Sequence, residues 1–198
     1  MKKQRMGVII ILALLVFVMP VYAGVPLDAV QKCVNDMLDV LRDPKLKPES
    51  ATEKKKDKLR VIYKNMFDEV EFSKRTLTRH WNEFTPDQRK EFVKLFEEIL
   101  ENSYADKILS YTNERVEFYK ENKLSDTQVE VQSKIITSSK EIPMFYRMIL
   151  KDGKWKVYDV VIENVSLVQN YRTQFNDILA KDNAEKLLQT LRKKLNKK

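Results

Sequence analysis

IPMFYRMILKDGKWKVYDVVI, residues 142–162, decides the fold. Lys151-Asp152-Gly153-Lys154 punctuates it, and Asp-Gly favours a two-residue hairpin loop because both central residues must adopt positive φ. Two strands follow, Ile142–Leu150 and Trp155–Ile162. The second lacks the apolar–polar alternation of a half-buried strand: Trp155, Val157, Asp159 and Val161 would share one face, Lys156, Tyr158, Val160 and Ile162 the other. A strand apolar on both faces must be covered on both. A two-residue loop fixes register, setting Leu150 opposite Trp155, Met148 opposite Val157, Tyr146 opposite Asp159 and Met144 opposite Val161. This face is large and soft, since methionine adapts to irregular or mobile partners. Periodicity leaves two covers open, packed helices or, in part, a ligand.

Outward from the hairpin, Glu114–Lys120 and Thr127–Thr137 alternate with period two and read as strands polar on one face. The polar-faced pair belongs towards a sheet edge. Before them stand four helical patterns. Pro26 opens a helix to about Arg42 with Val30, Val34, Met37 and Leu41 along one face. A second helix spans about Ala51–Asn65 and begins with the charged run EKKKDKLR; a third spans about Glu69–Trp81. Thr85-Pro86-Asp87-Gln88 is a capping box that starts a helix to about Ser110, with Phe92, Phe96, Ile99, Leu100, Tyr104 and Ile108 as its apolar stripe. Ser166-Leu167-Val168-Gln169 starts a helix to about Ala180 with Val168, Tyr171, Phe175 and Ile178 inward, and Asp182–Glu185 caps the last one. The order predicts a single α+β domain: helices packed on a four-stranded, or slightly larger, antiparallel sheet.

Met1–Ala23 reads as a cleaved signal peptide: Lys2, Lys3 and Arg5, an apolar run over Val8–Val18, and Val21-Tyr22-Ala23 as a small-x-small cleavage site. Cleavage after Ala23 leaves residues 24–198 as the domain, long enough to bury a core. Its 34 basic and 29 acidic residues give a formal +5. Cys33 is the only cysteine, so no intramolecular disulfide forms; a monomer exported to a bacterial periplasm fits this better than a small extracellular domain does. Cys33 is also too far from Ala23 to be an acylated lipoprotein cysteine. With Gly24 at the new N-terminus and Gly153 alone in the body of the domain, phosphate-cradling loops are excluded. One histidine and one cysteine exclude Cys/His zinc sites, so no metal or other cofactor is expected.

The stretch WKVYDVVIENVSLVQNYRTQF, residues 155–175, is similar to the signature of the MlaC family, also called toluene-tolerance proteins. The likeness extends to Leu77–Trp81, to TPDQRKEF at Thr85–Phe92, to Tyr104–Tyr111 and to Leu187–Arg192. Two positions depart from it: Asn164 and Thr78 stand where relatives commonly carry glycine. The resemblance implies a periplasmic carrier, not an enzyme, whose sheet and helices enclose an apolar cavity for phospholipid acyl chains. It implies transfer of lipid between an outer-membrane lipoprotein complex and an inner-membrane ABC transporter, which keeps the outer membrane asymmetric. Hopanoid-associated relatives share the pattern, so a hopanoid-type lipid is an alternative cargo. Enclosure matches the physics, because two chains of about 16 carbons would expose a gross cost of roughly 25 kcal/mol in water.

The lipid-binding residues expected on this reading are Met144, Tyr146, Met148, Trp155, Val157 and Val161 of the hairpin, faced by Phe96, Leu100, Tyr104, Tyr171 and Phe175 of the helices. His80 has no spacing to an orienting acid or nucleophile and reads as structural. Asp159 reads as half of a hydrogen-bonded pair with Tyr146. The basic runs Lys54–Lys58 and Arg192–Lys198 read as solvated faces, suited to anionic headgroups or an acidic docking surface and not to nucleic acid. Two other classes stay open: an exported enzyme acting on lipid, and an adaptor whose hairpin face is covered by a protein partner.

Overall fold

The computed structural model describes residues 25–111 and 114–196; the expected signal peptide and Gly24 lie outside them. Six helices are present among these residues: α1 (Pro26–Arg42), α2 (Thr52–Met66), α3 (Glu69–Leu77), α4 (Pro86–Leu109), α5 (Leu167–Leu179) and α6 (Ala184–Leu195). Between α4 and α5 run β1 (Arg115–Ser125), β2 (Gln128–Ile136), β3 (Glu141–Lys151), β4 (Lys154–Ile162) and β5 (Val165–Ser166). They form one antiparallel sheet in the order β1-β2-β3-β4-β5. The expected α+β domain is observed, its sheet being the slightly larger, five-stranded form, with the doubly apolar hairpin inside it.

Helix starts follow their local chemistry. Thr85 Oγ1 accepts from Gln88 N at 3.2 Å while Gln88 Oε1 accepts from Thr85 N at 3.1 Å, which closes the capping box. Asp68, Ser166 and Asn183 cap α3, α5 and α6 in the same sense, each accepting from the backbone N–H three residues on. Both tight hairpins use left-handed residue pairs: Asp152 and Gly153 at φ 50° and 72°, Glu163 and Asn164 at 48° and 65°. Asparagine enters that region more readily than other non-glycine residues, so the β4–β5 turn survives without glycine.

Two elements depart from the expected bounds. β1 extends five residues past Lys120, because register shifts at Tyr119 and Leu124 interrupt the period-two pattern that a sequence reading follows. α3 stops at Leu77 and continues as a 3-10 turn over Thr78–Glu83. Thr78 lies at φ 50°, ψ −122°, a region open to glycine and costly for a β-branched residue.

The register of the central hairpin changes midway. Leu150↔Trp155, Ile149↔Lys156 and Met148↔Val157 pair as expected. A β-bulge at Tyr158 then shifts the rest, giving Arg147↔Asp159, Tyr146↔Val160, Phe145↔Val161 and Met144↔Ile162. Asp159 and Val161 therefore leave the methionine face and Val160 joins it. The cause is non-local: Asp68 donates its N–H to Val157 O at 2.9 Å, and Phe67 bridges Val157, so a third segment pins β4 where the bulge begins.

The core divides in two. One cluster sits between α3, α4, α5 and α6 and holds Phe72, Phe92, Phe96, Tyr171, Phe175 and Leu188. The other lies between the inner sheet face and α1, around Val30, Val131, Tyr146, Met148, Val157 and Val160. Half-buried Leu167, at the start of α5, touches both.

Thr78→Gly should stabilise the fold by about 1 kcal/mol. Relief of the strained backbone is worth roughly 1–3 kcal/mol, less the 0.5–1 kcal/mol or so that glycine costs in chain entropy. A higher urea midpoint at unchanged slope would show it; a lower midpoint would mean that Thr78 is not strained.

Candidate functional site

Three apolar surfaces outrun their protein cover at one end of the molecule. Along α4, Phe92, Phe96 and Ile99 are 0–2 % exposed, Leu100 and Tyr104 are half-buried, and Ile108 is 42 % exposed. Along α1, Val30 is buried while Val34, Met37 and Leu41 are half-buried. The two helix ends converge: Arg42 donates to Tyr111 Oη at 3.1 Å and to Glu114 O at 3.4 Å, in the connection that follows α4. The sheet contributes its matching end. Phe118, Ser133, Met144 and Ile162 form one cross-strand row of the inner face, and Val116, Ile135 and Ile142 the row beyond it. All of these but Ser133 are half-buried, whereas the deeper rows Val131–Tyr146–Val160 and Val129–Met148–Val157 are buried. Ser133 donates to Met144 O at 2.7 Å and so adds no unsatisfied polar group. The candidate site is this apolar region between α1, the end of α4 and the outer rows of the inner sheet face.

The expected lining residues distribute unevenly over it. Met144 lies in the half-buried row; Leu100 and Tyr104 are half-buried on α4, with Leu100 also packed against the helix cluster. Tyr146, Met148 and Val157 are buried in the sheet cluster, and Trp155 packs on its far end beside the Asp-Gly turn. Val161 faces away, opposite Phe145, for the register reason given above. Phe96, Tyr171 and Phe175 pack on one another in the helix cluster, with ring centroids 4.8–5.7 Å apart, and do not meet the methionine face directly. α5, which carries two of them, packs chiefly on α3. The sequence reading did not include Val34, Met37, Leu41, Phe118, Ile135 and Ile162, half-buried residues of this candidate region. The α1 stripe was visible as a pattern; what it faces was not.

Burial raises the phenol pKa of Tyr146, Tyr104 and Tyr171, so all three stay neutral. Burial, with Asp36 nearby, pushes the Cys33 thiol up to about 12. Among the described residues no group of three or more His, Cys, Asp or Glu is placed to hold a metal, and no helix is long and apolar enough to cross a membrane.

The polar residues of the 155–175 signature lie elsewhere and build a joint. Asp159 Oδ2 accepts from Ser166 Oγ at 2.6 Å and from Arg147 Nη1 at 3.2 Å; its Oδ1 accepts from Val168 N at 3.0 Å. Tyr146 is not its partner, since the bulge carries Asp159 to the other face. Arg172 donates twice to Arg75 O, at 3.1 and 3.0 Å, and the Arg75 guanidinium lies 3.7 Å from the Tyr158 ring centre. A cleft of about 560 Å³ lies over this joint, lined by Arg75, Arg147, Tyr158, Asp159 and Arg172 among others. A second, of about 440 Å³, lies between Phe84 and the α5–α6 connection. Neither includes an expected lipid-binding residue. His80, for which the sequence offered no orienting acid, has one: Nδ1 lies 2.7 Å from Glu83 Oε2.

A family model described as "MlaC protein" matches residues 31–193. The intermembrane phospholipid transport system binding protein MlaC of Haemophilus influenzae is 28% identical over 119 residues, 58% of this chain and 56% of that protein. Toluene tolerance protein ttg2D of Pseudomonas putida is 24% identical over 180 residues, 90% of this chain and 83% of its own length. A phospholipid-binding protein from Ralstonia solanacearum, solved in complex with a phospholipid, superposes with a TM-score of 0.80 at 24% identity, over 87% of this chain and 97% of that one.

Asp159→Ala should destabilise the protein by about 2–5 kcal/mol, since it strands buried donors at Ser166 and Val168 and removes a partner of Arg147. Asp159→Asn, which keeps an acceptor for Val168 N, should lose less. Equal losses in urea titrations would place the stabilisation in packing and not in the hydrogen bonds.

Proposed function

We propose, for a chain that belongs to the MlaC family, that it is a periplasmic carrier holding the acyl chains of a phospholipid in the apolar region between α1, α4 and the inner sheet face. The observation that carries this is the shared direction in which three apolar surfaces lose their cover. Scattered exposed apolar residues are ordinary. Half-buried stripes from two helices and two rows of a sheet, converging at one end, support a missing apolar occupant. Each methylene brought there from water contributes about 0.8 kcal/mol, so a long chain is retained without any polar contact in the interior.

The lipid sites are accordingly Met144, Leu100 and Tyr104 of the expected set, with Val34, Met37, Leu41, Phe118, Ile135 and Ile162. Tyr146, Met148 and Val157 form the floor. Binding needs no reaction, and His80 with Glu83 belongs to the 3-10 turn after α3, away from these residues. An outer-membrane lipoprotein complex and an inner-membrane ABC transporter are the partners of this reading, which draws on the transport system named for the Haemophilus relative. Export by cleavage after Ala23 completes it.

Mass spectrometry of an organic extract of the purified protein tests the function. Intact phospholipid near one per chain is expected; cleaved lipid would indicate an enzyme, and none a protein-binding adaptor. His80→Ala should keep the lipid. Two tryptophan substitutions then locate the site. Met144→Trp, in the half-buried row, should fold nearly as well as wild type and purify with little lipid. Met148→Trp, in the closed floor, should cost about 1–3 kcal/mol from overpacking. Retention of lipid by Met144→Trp would move the site elsewhere.

A further inference from the structure

Lys56, Arg60 and Lys64 recur every four residues along α2 and form one stripe. Glu97 and Glu101 do the same on α4. The stripes meet in antiparallel sense. Arg60 donates through Nε to Glu101 Oε2 at 3.2 Å and through Nη2 to Glu101 Oε1, and Lys64 Nζ lies 2.8 Å from Glu97 Oε1. Lys56, one turn earlier, pairs with Glu53 and lies in the field of Asp106 and Glu101. The charged run at the start of α2 is thus more than a solvated face.

Apart from its packing on α1, little else holds the middle of α2 to the rest of the molecule. Met66, at its end, is its only buried residue, and no other α2 side chain enters either core cluster. α2 packs mainly on α1. Its flanks are fixed separately, by buried Leu46 before it and by the Asp68–Val157 backbone bond after it. An anchored helix latched in its middle by half-exposed ion pairs can open locally at low cost, because such pairs are weak and screened by salt.

Apolar surface lies directly behind the latch. Tyr63, three residues from Arg60, stacks on Phe67 with ring centroids 4.2 Å apart. Leu100 and Tyr104 follow Glu97 and Glu101 by three residues and so occupy the adjacent ridge of α4. The seam also holds two neighbouring carboxyls: Glu69 Oε1 is buried, and burial together with Glu97, which accepts a hydrogen bond from the protonated Glu69 carboxyl, holds that carboxyl above the usual range. Like charges side by side oppose a tight seam.

We propose that the seam between α2 and α4 is a lateral portal for acyl chains, and that the Arg60–Glu101 and Lys64–Glu97 pairs gate lipid entry and release. The proposal rests on the carrier reading. It concerns the route and its rate, since a gate shifts loading and release together and leaves occupancy unchanged.

The test loads the mature protein with a fluorescent phosphatidylcholine and follows release into excess phosphatidylcholine vesicles, which carry no net charge to confound docking. Glu101→Lys should release lipid about five- to tenfold faster than wild type, the size expected for turning weak attraction into repulsion. The swap Arg60→Glu with Glu101→Lys should return to within about twofold of wild type. Amide hydrogen exchange in α2 should speed up in the single variant and recover in the swap. Should Glu101→Lys not fold, wild type at about 1 M salt gives the same readout, because screening then acts within about 3 Å. Unchanged release with normal lipid content, under salt or in the variant, overturns the portal and leaves the carrier standing. Wild type that takes up no phospholipid overturns both.

Discussion

Asp159 sits 2 % exposed in the sheet, and three donors, one from β3 and two from the start of α5, meet on its two oxygens. Arg147 brings β3, Ser166 brings the turn into α5, and Val168 brings the first turn of α5 itself. A carboxylate buried so deeply is tolerable only when satisfied, and at a helix N-terminus it also meets the favourable end of the helix dipole. The joint therefore sets where α5 leaves the sheet. α5 in turn positions Tyr171 and Phe175 against α3 and α4, and Arg172 holds the carbonyl of Arg75. Besides this polar anchor, the helix and sheet sides are tied by the shared contact at Leu167 and by the Asp68–Val157 and Arg75–Tyr158 contacts between α3 and β4.

Having two separate core clusters leaves a third region where neither closes. Stability comes from the helix cluster and from the deep rows of the sheet, so the outer rows need not be filled by protein. On the proposed carrier reading, that division resolves a conflict between packing and cargo space. A core packed to ordinary density has no room for acyl chains, and a cavity left through the middle of a single core would destabilise it in proportion to its volume. Placing the uncovered surface beyond two completed clusters keeps the penalty small. The sheet edge follows similar logic: β1 carries Lys120, Lys123 and two bulges, which discourage pairing with another chain.

The helices and their starts were legible in sequence because capping is local: Thr85 and Gln88, Ser166, Asn183 and Pro26 each act within one turn. The central hairpin was legible for as far as its Asp-Gly turn dictates register, through Met148 and Val157. Beyond that, β4 answers to Phe67 and Asp68, some ninety residues earlier in the chain, and no two-residue period can reveal such a pairing. The error propagated to the site, since one bulge moves Val161 off the methionine face and Val160 onto it. β1 was cut short for a related reason, its alternation broken where Tyr119 and Leu124 stand out of register. The charge stripe of α2 was present in the sequence at four-residue spacing, but its acidic counterpart lies some forty residues away.

Family resemblance and ligand choice are carried by different residues. The polar positions of the 155–175 stretch, Asp159, Ser166 and Arg172, make the joint between sheet and helices, and Asn164 makes a tight turn. None of them lies on the uncovered apolar surface. Matching that stretch therefore identifies a scaffold with considerable force and says little about what the scaffold holds. On the carrier reading proposed above, the cargo meets Val34, Met37, Leu41, Phe118, Ile135, Met144 and Ile162, of which only Ile162 belongs to the stretch. Aliphatic side chains of this kind discriminate by volume and shape, where a methylene more or less changes affinity by about 1–3 kcal/mol. Substitutions among them can retune chain length or bulk while the joint, and with it the fold, stays intact.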